Sequence, residues 1–139
     1  MRKKYEKRPP MLVMRGLVND QLETRERIAV EAIVGGWGTT EHYQTIADMQ
    51  GVMLLAGTTD ESRKWARDYA HDVIGPVLCK VRDRYLRSNK LTCTTGERDV
   101  LRGFVTRYRE FWMRQPMELY EAACQALQAH YDKMSKEAA

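Results

Sequence analysis

Apolar residues recur in alternating steps of three and four near the end of the chain. They are Met117, Tyr120, Cys124, Leu127, Tyr131 and Met134. An α-helix turns once in about 3.6 residues, so this spacing places all six side chains on one helical face. Because the series covers under three heptads, we predict a packed helix of a domain and not a coiled coil. We expect a core face, although a partner-binding face would have the same period.

Turn and capping residues predict further helices before this one. Asn19 or Asp20 can cap a first helix that runs to about Val34, and the glycine-rich residues 35–38 predict the turn after it. Thr39 or Thr40 can cap a second helix that ends near Ala56.

Two pairs of residues, Thr58 with Glu61 and Thr94 with Glu97, have the spacing of a capping box. Each pair predicts the start of a helix. Apolar residues at steps of four follow the first start (Trp65, Tyr69, Val73). A second register, Ile74, Leu78, Val81 and Tyr85, continues across Gly75-Pro76. The second start opens a helix with Leu101, Val105, Tyr108 and Trp112 on one face.

Prolines interrupt these helical patterns at two places. Gly75-Pro76 and Gln115-Pro116 each predict a break or kink, because proline lacks an N–H and clashes with the preceding turn. No stretch alternates with the period of a strand. We therefore predict an all-α, single-domain, irregular bundle of five or six helices at residues 11–139, with a short basic tail at 1–10.

The net charge of +4 belongs entirely to the tail, because basic and acidic residues balance in the rest of the chain. The basic residues of the tail are Arg2, Lys3, Lys4, Lys7 and Arg8. A basic arm can attract nucleic-acid phosphates or an acidic protein surface, and its attraction is weakened by salt. A solvated, frayed terminus is the alternative. Pro9-Pro10 separates the tail from the first helix.

Cellular location follows from apolar runs and cysteine usage. No apolar run approaches the ~20 residues that cross a bilayer, and no apolar region follows the basic start, so we expect neither a membrane span nor a secretory leader. The cysteines Cys79, Cys93 and Cys124 are odd in number and widely spaced. This usage predicts free thiols in a reducing compartment, that is, the cytoplasm.

Candidate catalytic and metal-binding residues are few. Asp68 and His71 have a spacing found in metal sites of helical bundles, but no second such pair is present, so surface ion pairing is the simpler prediction. The carboxylate pairs Glu23/Glu26 and Glu118/Glu121 fall in polar helices and are interpreted as solvated faces. We predict no catalytic residue, no metal and no cofactor, and therefore a protein that is not an enzyme.

Residues 44–52 resemble the first helix and turn of a helix-turn-helix, in which a glycine makes the turn. The following residues, 53–57, read Met-Leu-Leu-Ala-Gly and cannot hydrogen-bond to base edges. One helix with Gly51 at a close helix crossing is the simpler prediction. Arginines interleaved with aromatic residues in the last third of the sequence favour protein contacts, and they make Arg107, Arg109 and Arg114, with the basic tail, the candidate partner-binding residues.

Several short motifs together carry a family resemblance. They are Lys4-Tyr5-x-x-Arg8-Pro9, Arg15-Gly16-Leu17, Gly38-Thr39-Thr40 and Thr95-Gly96-Glu97. The chain resembles short helical accessory proteins encoded by bacterial phages, plasmids and integrated elements. That resemblance implies a protein-binding inhibitor or adaptor that acts on a host protein complex, of the anti-CRISPR or other anti-defence type, and it transfers no residue roles. The alternative is a small DNA-binding regulator that uses the basic tail and a degenerate helix-turn-helix at 44–57.

Overall fold

The computed structural model describes residues 23–138, and five packed helices account for nearly all of them. In chain order the elements are α1 (Glu23–Gly35), α2 (Thr40–Gly57), a 3-10 turn (Glu61–Arg63), α3 (Lys64–Tyr69), a π turn (Ala70–Ile74), α4 (Gly75–Ser88), α5 (Thr95–Met113) and α6 (Met117–Ala138). The segment from α3 to α4 is one uninterrupted helical rod. The described residues contain no strand, so the predicted all-α single domain is confirmed. The tail and residues 11–22 lie outside the described part.

The core forms around α2 and α5. Helix α2 packs against α1, α3 and α6, while α5 packs against α1. The predicted buried face of α5 is confirmed, because Leu101, Val105, Tyr108 and Trp112 are all buried. Phe104 and Phe111 join them, and the rings of Phe111 and Trp112 meet edge to face with centroids 4.8 Å apart. Burying a side chain of this size stabilises the fold by about 1.5–3 kcal/mol.

Helix α2 runs through Gly51 without a turn, as the simpler prediction required. A Cβ atom at Gly51 would stand 2.8 Å from Cδ1 of Leu127, so the missing side chain lets α6 cross close to α2. The turn that a helix-turn-helix needs is therefore absent from residues 44–57. The helix begins after Thr39, whose backbone N–H donates to Nδ1 of His42 over 3.0 Å.

The two capping-box predictions have different outcomes. At the start of α5 the box is confirmed, because the N–H of Glu97 donates to the Thr94 hydroxyl and the N–H of Thr94 donates to the Glu97 carboxylate. The prediction for Thr58 and Glu61 is wrong. The Thr58 hydroxyl donates to the carbonyl of Leu55 over 2.7 Å, so this residue closes α2 and is not available to open the next helix.

The chain stays helical through Gly75-Pro76 instead of breaking there. The π turn at Ala70–Ile74 directly precedes α4, and Pro76 is the second residue of that helix. The wider π turn also changes which residues face the core. Ala66, Ala70, Ile74, Leu78 and Val81 are buried there, so the predicted register from Ile74 onward is confirmed. The preceding register is wrong, because Trp65 and Val73 are 48% and 42% exposed.

Helix α6 begins at Met117, so the predicted break at Gln115-Pro116 is confirmed. The predicted core face of this helix is confirmed in part, because the first four residues of its apolar stripe pack half-buried against the core: Met117, Tyr120, Cys124 and Leu127. Within α6 only Ala123 is buried, Leu127 is half-buried, and Met134 is 51% exposed. None of the helices in residues 23–138 combines the length and the apolar character that a bilayer crossing requires.

Candidate functional site

Of the candidate partner-binding residues that fall in the described region, Arg107 and Arg109 lie on α5 and Arg114 directly follows its last residue, Met113. Arg109 is two residues from Arg107 and so lies on the other side of the helix. Arg107 and Arg114 are exposed and Arg109 is half-buried. The tail residues Arg2, Lys3, Lys4, Lys7 and Arg8 lie outside the described residues.

Two contacts join the Arg107 face of α5 to α3. The guanidinium of Arg107 lies over the ring of Tyr69, 5.3 Å from its centroid, and the ring of Trp65 meets Phe111 edge-on with centroids 5.6 Å apart. We call the accessible residues of these two contacts the Trp65 surface: the exposed Trp65 and Arg107, and the half-buried Tyr69. Sequence reasoning placed Trp65 and Val73 in the core, so it missed their exposure.

Charged residues of both signs lie at the end of the Trp65 surface where α3 begins, with Asp60, Glu61 and Asp68 against Arg63, Lys64 and Arg67. Arg63 donates from Nε to the side-chain oxygen of Gln115 over 2.9 Å, which ties this end to the end of α5. Lys64 and Arg67 both pair with Asp68, at 2.8 and 3.2 Å. The charges at this end balance, so Arg107 is the charged residue of the surface that is left to attract a partner carboxylate.

Asp68 and His71 do not form the pair that a metal site would need. Asp68 pairs with the two basic residues just named, and hydrogen bonding from Lys64 is the main reason why the pKa of this carboxyl lies below its usual value. His71 lies 2.7 Å from a carboxylate oxygen of Asp72. The prediction of surface ion pairing is therefore confirmed. The described residues contain no group of three side chains able to hold a metal ion.

One of the carboxylates that we interpreted as solvated is buried. Glu118 and Glu121 are exposed, as predicted, but only 5% of Glu26 is accessible. The sequence did contain a signal for this burial, because Glu26 lies four and seven residues before the buried Val30 and Ile33 and so falls on the apolar face of α1. Its acidic type was given more weight than its position.

Glu26 lines a cavity of about 200 Å³ where α1, α2, α5 and α6 meet. We call it the Glu26 cavity, and its polar wall includes Glu26, Asp48, Tyr108, Tyr120, Cys124 and Tyr131. Burial raises the pKa of Glu26 to about 7, against a smaller opposite effect of Arg25. One of its oxygens, Oε1, is buried without a hydrogen-bond partner among the described residues.

Hydrogen bonds between α2 and α6 close one side of this cavity. The Tyr131 hydroxyl donates to Oδ1 of Asp48 over 2.8 Å, and the Gln44 amide donates to both residues, at 2.9 and 3.2 Å. Burial and the Asp48 contact together raise the pKa of Tyr131 to about 12. The tyrosine therefore stays protonated at physiological pH and keeps its bond to the carboxylate.

The Cys124 thiol in the same cavity is poorly suited to nucleophilic catalysis. Burial raises its pKa, so the reactive thiolate is scarce at neutral pH. Burial also raises the pKa of Tyr120, whose hydroxyl bonds to Cys124. These groups supply hydrogen-bonding positions and no activated nucleophile, so the arrangement is suited to binding.

Neither the protein-family models nor the curated proteins and solved structures contain a match to this chain. Residues 23–138 thus define a small all-α bundle that carries the Trp65 surface and the Glu26 cavity.

Proposed function

We propose that this protein is a protein-binding inhibitor or adaptor of a mobile genetic element, and that it acts on a host protein complex of the anti-defence kind. The observation that supports it best is the Trp65 surface, where an exposed tryptophan lies beside an arginine stacked on a tyrosine. Tryptophan, tyrosine and arginine are the residues most enriched among the energetic centres of protein interfaces.

The geometry of this surface lowers the cost of binding. Trp65 is held edge-on by the buried Phe111, and the guanidinium of Arg107 is held over Tyr69. Side chains that are already positioned lose less conformational freedom when a partner docks. The exposed half of the tryptophan ring would enter a pocket of the partner, and Arg107 would face a partner carboxylate.

The resemblance to accessory proteins of mobile elements supports the choice of partner. Such proteins commonly act by occupying a host machine. A partner surface with an apolar pocket for Trp65 and a carboxylate opposite Arg107 would complement the Trp65 surface.

Site-specific crosslinking in bacteria that carry defence complexes tests this proposal. A photoreactive aromatic residue replaces Trp65 in one variant and Leu86 in a control, since Leu86 is 73% exposed on α4, away from the Trp65 surface. We expect one discrete protein adduct from position 65 and none from position 86. Equal, diffuse crosslinking at both positions would contradict the proposal.

The captured protein is then purified and its affinity for variants is measured. Arg107→Gln should weaken binding by about ten-fold or more, whereas Arg87→Gln, an exposed arginine of α4, should leave it unchanged. The salt dependence of DNA binding is compared with and without residues 1–8. Tight DNA binding that is lost on this deletion, with no protein captured at position 65, would favour the DNA-binding regulator instead.

A further inference from the structure

The Glu26 cavity contains an acceptor that the described residues leave unsatisfied. Glu26 is only 5% exposed, and its Oε1 atom has no hydrogen-bond partner among residues 23–138. A buried polar group without a partner costs about 1–3 kcal/mol, and more when it is charged. A ligand that brings a hydrogen-bond donor to this oxygen would recover that energy.

The other polar groups of the wall also need donors from a ligand. The hydroxyl proton of Tyr131 is already given to Asp48, and that of Tyr120 to Cys124. Both oxygens retain lone pairs that can accept. The donors of the wall, Arg25 and Gln128, are exposed, whereas these acceptors lie further in, and a ligand rich in N–H groups complements them.

The net charge of the cavity wall favours a cation among the ligands that carry N–H groups. The cavity is lined by two carboxylates, Glu26 and Asp48, and by one basic residue, Arg25, which is exposed at the start of α1. With both acids ionised the wall has an excess of one negative charge. The rings of Tyr108, Tyr120 and Tyr131 also line the cavity, and aromatic faces attract cations.

The rest of the wall is apolar and limits the size of the ligand. Met49, Val52 and Leu127 line the cavity alongside the polar groups. A volume of about 200 Å³ is below the usual range of about 300–1,000 Å³ for drug-sized ligands. It suits a charged head with a short hydrocarbon body.

We propose that the Glu26 cavity binds a small organic ammonium ion. The ammonium group donates to Oε1 of Glu26 and to the tyrosine oxygens, and the alkyl part lies against Met49 and Val52. This site is separate from the Trp65 surface, and its occupancy does not depend on the proposed protein partner.

Three probes of equal chain length test the ligand class on the intact protein. Butylammonium, 1-butanol and butyrate are titrated at about pH 8, where Glu26 is mostly ionised, and binding is followed by the NMR signals of the methionine methyl groups. We expect butylammonium to shift the Met49 signal and to show nuclear Overhauser contacts to Met49 and Val52. Its affinity should exceed that of the alcohol by about ten-fold or more, with no binding of butyrate.

Matched variants test the role of the carboxylate. Glu26→Gln should weaken butylammonium binding by about ten-fold or more, while Glu118→Gln, an exposed acid of α6, should not change it. Equal binding of the alcohol and the ammonium ion would overturn the proposal, and so would a cavity that takes none of the probes and holds only water. If Glu26→Gln fails to fold, the contacts seen in the unmodified protein decide the question.

Discussion

Arg84 and Glu97 form a two-pronged ion pair that joins α4 to the start of α5. Two guanidinium nitrogens of Arg84 donate to the two carboxylate oxygens of Glu97, each over 2.9 Å. The arginine also donates to the carbonyl of Thr92 over 2.6 Å. Because Glu97 caps α5 at the same time, one carboxylate fixes both the helix start and the loop before it.

A double-mutant cycle should measure this pair. With Arg84→Gln and Glu97→Gln we expect a coupling of about 1–3 kcal/mol in the free energy of unfolding, because the carboxylate is buried and its bonds are charge-assisted. Arg102 and Glu31, both about half exposed, form the matched control and should couple by about 0–1 kcal/mol. Equal coupling in the two cycles would contradict this assignment.

The same ion pair has a predictable dependence on pH. Hydrogen bonding from Arg84 is the main cause that lowers the pKa of Glu97 in the folded state below its ordinary value of 4.5. Its stabilisation is therefore present above about pH 4.5 and is lost as the pH falls through the lowered pKa. Denaturant unfolding below pH 4.5 should show the Glu97→Gln difference shrinking, while a difference that does not vary with pH would refute the linkage.

Glu26 should have the opposite effect on stability. Its folded pKa of about 7 lies above the ordinary 4.5, so the folded state disfavours the ionised form. The contribution of Glu26 to the free energy of unfolding is fully present below about pH 4.5. It is lost as the pH rises to about 7, and the loss amounts to up to about 3 kcal/mol. Relative to Glu26→Gln, the unmodified protein should become less stable over this interval. The comparison of Glu118→Gln with the unmodified protein should show no such trend.

Two glycines of α2 should differ in their tolerance of alanine. A Cβ at Gly57 would lie 2.4 Å from the backbone nitrogen of Arg67, which cannot move without shifting α3. We expect Gly57→Ala to cost about 1–3 kcal/mol or more. At Gly51 the nearest atom is the flexible end of Leu127, and alanine gains about 1 kcal/mol of helix propensity, so the net change should stay within about 1 kcal/mol. Thermal unfolding of both variants checks this order.

Replacing leucine by alanine should reduce stability more in the buried core than in the apolar stripe of α6. Leu101→Ala removes a fully buried side chain and should cost about 2–5 kcal/mol. Leu127 is half-buried beside the Glu26 cavity, so Leu127→Ala should cost less, about 1–2 kcal/mol. Chemical denaturation measures both, and an equal loss would show that the stripe is as tightly packed as α5.

Thiol labelling should follow burial. Cys79 is exposed, whereas burial raises the pKa of both Cys93 and Cys124. An aromatic disulfide reagent should therefore react with one thiol quickly and with the other two slowly, and Cys79→Ser should remove the fast phase. A fast phase that persists in this variant would show that a second thiol is reactive.

Local sequence signals predicted the start of a helix or a close helix crossing correctly where a single residue or pair determines it. Thr94 and Glu97 start α5 as their spacing indicates, and Gly51 is needed at a crossing and not in a turn. The prediction of a capping box at Thr58 was wrong because its hydroxyl can bond forward into the next helix or back into α2. The sequence does not show that it bonds back to the carbonyl of Leu55. Capping spacing identifies candidates, and tertiary contacts choose between them.

The candidate sites were less accessible to sequence reasoning. Arg107 was selected for its neighbours in sequence, but its contact with Tyr69 joins two helices and has no local signal. Glu26 could have been found from its place on the apolar face of α1. The cavity that it lines could not, because four helices supply its wall.

The π turn at Ala70–Ile74 changes the rotation of α4 about the axis that it shares with α3. Each residue of an α-helix turns by about 100°, so a turn that holds one extra residue leaves the following residues about 100° behind their regular α-helical positions. Leu78 and Val81 thereby point to the core that Ala66 and Ala70 also face. Winding the same residues into a regular α-helix would rotate Leu78 and Val81 by about 100°, away from that face. The π turn therefore keeps the buried faces of α3 and α4 on the same side of one helical rod.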